Sequence, residues 1–134
     1  MVHIIQLNNA EGSGLMIENE NLSWSEKEWL ATMLSIDFEN KEQLIRQINA
    51  ASIIREHTRY FISIKFAVPL SISAIKMTER VPIEMRAYDS EKAPVQFLLH
   101  IINGYVSELE IFRADSSEIS GNIKLNRVEV ILSE

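Results

Sequence analysis

Residues Val95–Arg113 read VQFLLHIINGYVSELEIFR, two apolar, β-prone segments joined by Asn103-Gly104. A two-residue type I′ turn needs φ > 0 at both central positions, and Asn-Gly is the dipeptide that tolerates it best. The stretch therefore predicts a hairpin with a fixed register. If Ile102 pairs with Tyr105, His100 faces Ser107, Leu98 faces Leu109 and Gln96 faces Ile111 on one surface. On the other, Ile101 meets Val106, Leu99 meets Glu108 and Phe97 meets Glu110. The hairpin thus gives the core a mainly apolar face and places a pair of carboxylates on the opposite one.

Working outward, the period-two pattern recurs. In Tyr60–Val68, Tyr60, Ile62, Ile64, Phe66 and Val68 share one face, while Phe61, Ser63, Lys65 and Ala67 share the other. Pro69 ends that strand, since a central strand cannot spare the N–H. Val81–Tyr88 alternates in the same way, Val128–Leu132 closes the chain as a strand, and Ala51–Arg55 begins one. Leu70–Arg80 reads as either strand or loop. Before these strands the period is helical. Ser25 with Glu28 forms one capping box, with Trp24 stapled on Trp29; Ser23 with Glu26 offers a second register. Trp29, Leu30, Met33 and Leu34 then line a buried stripe. Asn40 caps a second helix with Gln43 at N3; Leu44, Ile45, Ile48 and Ala51 face inward, and Lys41, Glu42, Arg46 and Gln47 point away. Val2–Leu7 is a short strand, NNAEGSG a turn, and Leu15–Ile17 the return of an opening hairpin.

Helices followed by strands predict an α+β domain, in which an N-terminal helical pair packs on a mainly antiparallel meander sheet of about five or six strands. Residues 1–21 form an extension carrying the short hairpin, and residues 22–134 a single domain.

At 134 residues and 46% hydrophobic, the chain buries roughly two-thirds of its unfolded surface without a metal or disulfide staple. It has no cysteine, which excludes thiolate zinc sites, disulfides and a thiol nucleophile. Its 19 acidic against 13 basic residues give a net charge of −6. The basic residues are scattered, so no nucleic-acid platform is expected. No apolar run approaches a membrane span, and Met1–Leu7 lacks the basic and long apolar regions of a signal peptide. The expectation is a cytoplasmic protein that does not engage the membrane.

The three histidines, His3, His57 and His100, have no partners at metal-ligand spacing, so neither a metal nor a cofactor is expected. His100 beside Ser107 reads as a cross-strand hydrogen bond rather than a base and nucleophile, because no orienting acid or oxyanion loop accompanies it. Glu108 and Glu110 share a face, which Glu84 joins if its strand pairs nearby. Trp24 and Trp29 are assigned to the staple. Gly12 and Gly14 lack the strand–loop–helix frame of a phosphate loop.

Read as one pattern, Leu22–Leu30, Leu44–Ala51, Ser63–Phe66, Val81–Glu84, Leu98–His100 and Gly104–Asp115 resemble a family of small uncharacterised bacterial α+β domains. Those domains carry an N-terminal helical pair, then strands ending in G-x-(L/V)-x-x-L-E-(I/V)-(Y/F), with an Asp shortly after. The resemblance spans Leu22–Leu132. It implies a toxin-immunity role, as suspected for some members, and carries over no catalytic residue. The function expected is a non-catalytic protein-binding module, such as an immunity protein that neutralises a basic toxin domain. Its binding residues would be Glu84, Glu108, Glu110, His100 and Tyr105. The alternative is a small-ligand-binding or accessory protein with a pocket between helices and sheet, lined by Trp29, Phe61 and Tyr105.

Overall fold

A computed structural model describes residues 2–8, 17–90 and 92–133. In chain order the elements are β1 (Val2–Asn8), α1 (Trp24–Met33), α2 (Lys41–Ala50), β2 (Ser52–His57), β3 (Phe61–Ala67), β4 (Ile83–Ala87), β5 (Val95–Ile102), β6 (Tyr105–Arg113) and β7 (Arg127–Ser133). All seven strands join one antiparallel sheet in the order β1-β7-β4-β5-β6-β3-β2.

The class is still α+β, but the expected helical pair on a five- or six-stranded meander is wrong. The protein is mostly sheet, with two ten-residue helices. Two pairings account for the difference. β1 adds to β7 at the sheet's edge. Most of the proposed return strand and the turn before it fall outside the described residues, and Ile17 is not in a strand. β3 pairs with β6 rather than β4, so the Asn-Gly hairpin is the centre of the sheet and the chain crosses over between β3 and β4. Residues 68–82 make that crossing as loop.

The predicted hairpin is present, with Asn103 at φ 52° and Gly104 at φ 81°. A side chain at Gly104 is excluded twice over, since a Cβ would lie 2.4 Å from the Ile75 carbonyl oxygen. The straight register holds for only two pairs. A bulge then admits Ser107 as an extra residue, and His100 faces Glu108, Leu99 faces Leu109 and Phe97 faces Ile111. The cause is burial. The straight register would set Glu108 and Glu110 against Leu99 and Phe97, whereas one slipped residue sends Leu109 and Ile111 to the core instead. Phe97, Leu99, Leu109 and Ile111 are all fully buried.

The helices cover this apolar face, α1 against β4 and α2 against β6. Leu30, Met33, Leu34, Leu44 and Ile48 contribute their side chains to one core with Ile64, Ile83 and Met85. Each such burial stabilises by roughly 1.5–3 kcal/mol. Trp29 stacks tilted on Phe97, with ring centroids 5.7 Å apart. α1 starts in the earlier of the two registers. Ser23 is the N-cap; its Oγ accepts from Glu26 N at 3.1 Å, and Glu26 Oε1 accepts from Ser23 N at 2.7 Å. Trp24 is therefore N1 and 80% exposed, with no staple to Trp29. Asn40 precedes α2 in a left-handed conformation and makes no side-chain cap bond.

Gln47 does not point away from the core: it is fully buried. β3 and β4 stop short of the hairpin tip, which leaves the N–H groups of the Ile101/Val106 pair without strand partners. Gln47 Oε1 accepts from Val106 N at 2.8 Å, and the Arg80 carbonyl accepts from Ile101 N at 2.8 Å. Gln47 Nε2 donates to the Gly104 and Ser73 carbonyls at 2.9 and 3.1 Å. One amide thus pins α2, the turn and the crossing loop together.

Candidate functional site

Because the helices and core occupy one side of the sheet, alternation along β3 to β6 sends every second residue to the other side. No helix among the described residues crosses that open face. The register aligns its side chains in rows. One row runs Glu84, Leu98, Glu110, Ser63, Glu56. The next runs His100, Glu108, Lys65, Ile54.

Four of these side chains are joined in two diagonal pairs. Ser63 Oγ donates to Glu108 Oε2 at 2.6 Å, and His100 Nε2 meets Glu110 Oε1 at 3.0 Å. Arg80 Nε approaches His100 Nδ1 at 3.5 Å. Those contacts fit the tautomer with its proton on Nε2, donating to Glu110. Each bond engages one oxygen of a carboxylate and orients it. Ser63 is only 4% exposed and already donates to Glu108, so its hydroxyl serves to hold a carboxylate rather than to attack a substrate.

The sequence-derived residues are therefore mostly brought together. Glu84, Glu108, Glu110 and His100 share the open face. Tyr105 stands at the hairpin tip opposite Ile102, with no hydrogen bond to the other four among the described residues. The expected His100–Ser107 pair is not formed, because Ser107 occupies the bulge and Glu108 takes its place. The aromatics assigned to a pocket do not meet. Trp29 is in the core, while Phe61 is 36% exposed on the open side. Ser63 and Arg80 were missed. Ser63 interrupts an otherwise apolar or basic stretch, a signal that becomes legible only once β3 is known to pair with β6.

A second polar cluster lies at the other end of the face. Arg86 pairs across to Gln96 and Glu129. The Tyr88 hydroxyl donates to Glu129, and the Arg127 guanidinium sits 4.1 Å above the Tyr88 ring. Hydrogen bonding to the Glu129 carboxylate, with burial second, holds the Tyr88 phenol above its usual pKa. Away from the face, Arg55 forks onto Glu26 at 2.8 and 2.9 Å. Burial pushes the Glu26 carboxyl upward, but Arg55 and the Ser23 backbone N–H together bring it below the usual range.

The motif that carried the family resemblance divides between structure and surface. Gly104 makes the turn, Leu109 and Ile111 fill the core, and Glu108 and Glu110 face out. Asp115 Oδ1 accepts from Ser117 N at 3.0 Å, closing the turn after β6; hydrogen bonding from the Ser117 side chain first, and from its backbone N–H second, holds the carboxyl below the usual pKa. Among the described residues no cluster of His, Cys, Asp or Glu is arranged to hold a metal ion, and no helix is long and apolar enough to cross a membrane.

The chain belongs to a family defined as a domain of unknown function, DUF6984, whose family model matches residues 19–124. No curated protein and no solved structure matches it.

Proposed function

We propose that this member of the DUF6984 family is a non-catalytic protein-binding module that docks a basic partner on its open sheet face. The observation that carries the reading is the shape and charge of that face. Glu56, Glu84, Glu108 and Glu110 lie on three strands of one surface that no described helix covers, two of them oriented by Ser63 and His100. Glu56 and Glu84 have no ion pair or hydrogen bond to their side chains among the described residues. A concentration of carboxylates on a flat surface speeds encounter with an oppositely charged partner and sets its orientation. The partner class this suits is a basic toxin domain, which the protein would occlude in the cytoplasm of a bacterial cell as its immunity factor.

The test begins with capture of the partner from the native cells by the tagged full chain. The affinity of the purified pair is then measured by calorimetry for wild type and for the Glu108→Gln/Glu110→Gln variant. Neutralising two oriented carboxylates should weaken binding at least tenfold and reduce its salt dependence. An unchanged affinity would remove this face as the docking surface.

A further inference from the structure

The open face is not uniform. At one end a groove of about 530 Å³ runs between β2, β3, β6 and the loop after β6, with Tyr60, Phe61, Phe112, Glu56, Glu108 and Glu110 along it. Phe61 and Phe112 are directly opposite each other on β3 and β6, on the side of the sheet away from the core. Tyr60 is 52% exposed beside them. The core is filled from the other face, so Tyr60 and Phe61 keep much of their ring surface exposed here.

The order of groups along the strands defines what fits. From the Phe61/Phe112 pair, the next position on the same face is Ser63/Glu110 and the one after is Lys65/Glu108. Successive same-face positions on a strand are roughly 6.6–7 Å apart. A cation lying on the aromatic faces therefore reaches Glu110 without leaving the groove. Glu110 is held from behind by His100 at 3.0 Å, and its side chain is 40% exposed. Beyond it, Lys65 lies across from Glu108 with no ion pair joining them among the described residues.

Ring faces carry negative quadrupole charge and attract cations, and guanidinium suits them better than ammonium because its plane stacks. The same plane forks onto a carboxylate with two parallel hydrogen bonds. The groove is open along its length, unlike the enclosed clefts that bury a small ligand, and so fits a side chain presented by an extended segment.

We propose that this groove is an arginine-binding cleft, in which Phe61 and Phe112 take the guanidinium face and Glu110 its fork. The occupant is an arginine on an extended basic segment of the protein partner. Lys65 then rejects a second cation at the far end and sets the segment's register. The assignment rests on the reading above that a basic protein docks on this face.

The test titrates acetyl-Arg-Arg-amide, acetyl-Lys-Lys-amide and acetyl-citrulline-amide into the labelled full chain, followed by two-dimensional NMR. The arginine probe should shift the amides of Phe61, Ser63, Glu110 and Phe112. It should bind roughly fivefold tighter than the lysine probe, and the uncharged citrulline probe should have no effect. Phe112→Ala should cut arginine binding roughly fivefold, and Phe112→Tyr should retain it. Phe61→Leu provides the same readout if Phe112→Ala lowers the unfolding temperature. Equal arginine and lysine binding, or shifts centred on Glu84 and Glu129, would overturn the cleft assignment. Partner affinity separates the two proposals. Loss with Glu108→Gln/Glu110→Gln but none with Phe112→Ala overturns the arginine cleft and leaves the docking face standing. Loss with neither overturns both.

Discussion

Arg113 and Asp89 form a buried ion pair whose removal should be the costliest polar change in the domain. Their side chains are 7% and 8% exposed. The guanidinium forks onto the carboxylate at 3.1 and 3.0 Å, and also donates to the carbonyls of Ala93 at 2.8 Å and Glu118 at 3.2 Å. It thereby ties the last residue of β6 to the β4–β5 loop and to the loop that follows β6, next door to Phe112. Asp89→Ala leaves the cation buried with only the two carbonyls. Breaking one side of a buried pair costs about 3–5 kcal/mol, and the surviving acceptors place this case near the lower end, about 3 kcal/mol. That is a large share of a stability of roughly 5–15 kcal/mol. With a urea slope of about 1.5 kcal/mol/M, the midpoint should fall by about 2 M. Trp29 reports the transition by fluorescence, since it is buried against Phe97. Replacing both members, Asp89→Leu with Arg113→Met, removes the orphaned charge and should recover at least half of the loss. A loss below about 1 kcal/mol for Asp89→Ala, or a double variant no better than the single one, would refute the reasoning.

Three further changes probe the fold from different sides. Gln47→Leu should destabilise by about 1–3 kcal/mol because it strands the Val106 N–H; hydrogen exchange should show lost protection at Val106 specifically. Gly104→Ala combines a left-handed φ with a Cβ 2.4 Å from Ile75 O, and should lower the melting temperature by more than about 4 °C. Glu26 has its folded pKa below the usual carboxylate value, so its stabilisation is full above the unfolded pKa and fades as pH falls through the lower folded one. The wild type should therefore exceed Glu26→Gln in melting temperature most near neutral pH, with the gap closing in acid.

The sequence was most legible where local chemistry alone decides. Asn103-Gly104 dictates its turn, and the alternation correctly sends Ile62, Ile64, Phe66, Ile83, Met85 and Ala87 to the core, although Tyr60, assigned to the same face, is exposed. Legibility failed where a residue's fate depends on a distant segment. Ser107 becomes a bulge only because Leu109 and Ile111 compete with Glu108 and Glu110 for the core. β1 finds β7 across most of the chain, and no local signal names that partner. Gln47 looks like a solvated helix residue until the short β3 leaves Val106 N–H to be satisfied. The acidic face was legible as residue types, since Glu84, Glu108, Glu110 and His100 do gather there. Its aromatic end was not, because Phe61 and Phe112 become neighbours only through the β3–β6 pairing. Ser23 and Ser25 offer capping boxes two residues apart, and the Arg55 fork onto Glu26 favours the first.

The central claim is that the oriented carboxylates of the open sheet face dock a basic protein. The most direct measurement is the affinity of the purified, natively captured partner for wild type and for Glu108→Gln/Glu110→Gln, at low and at physiological salt. The account predicts at least a tenfold weakening in the variant and a shallower salt dependence, with the unfolding temperature retained. Equal affinities and equal salt slopes would contradict it and place the docking surface elsewhere on the molecule.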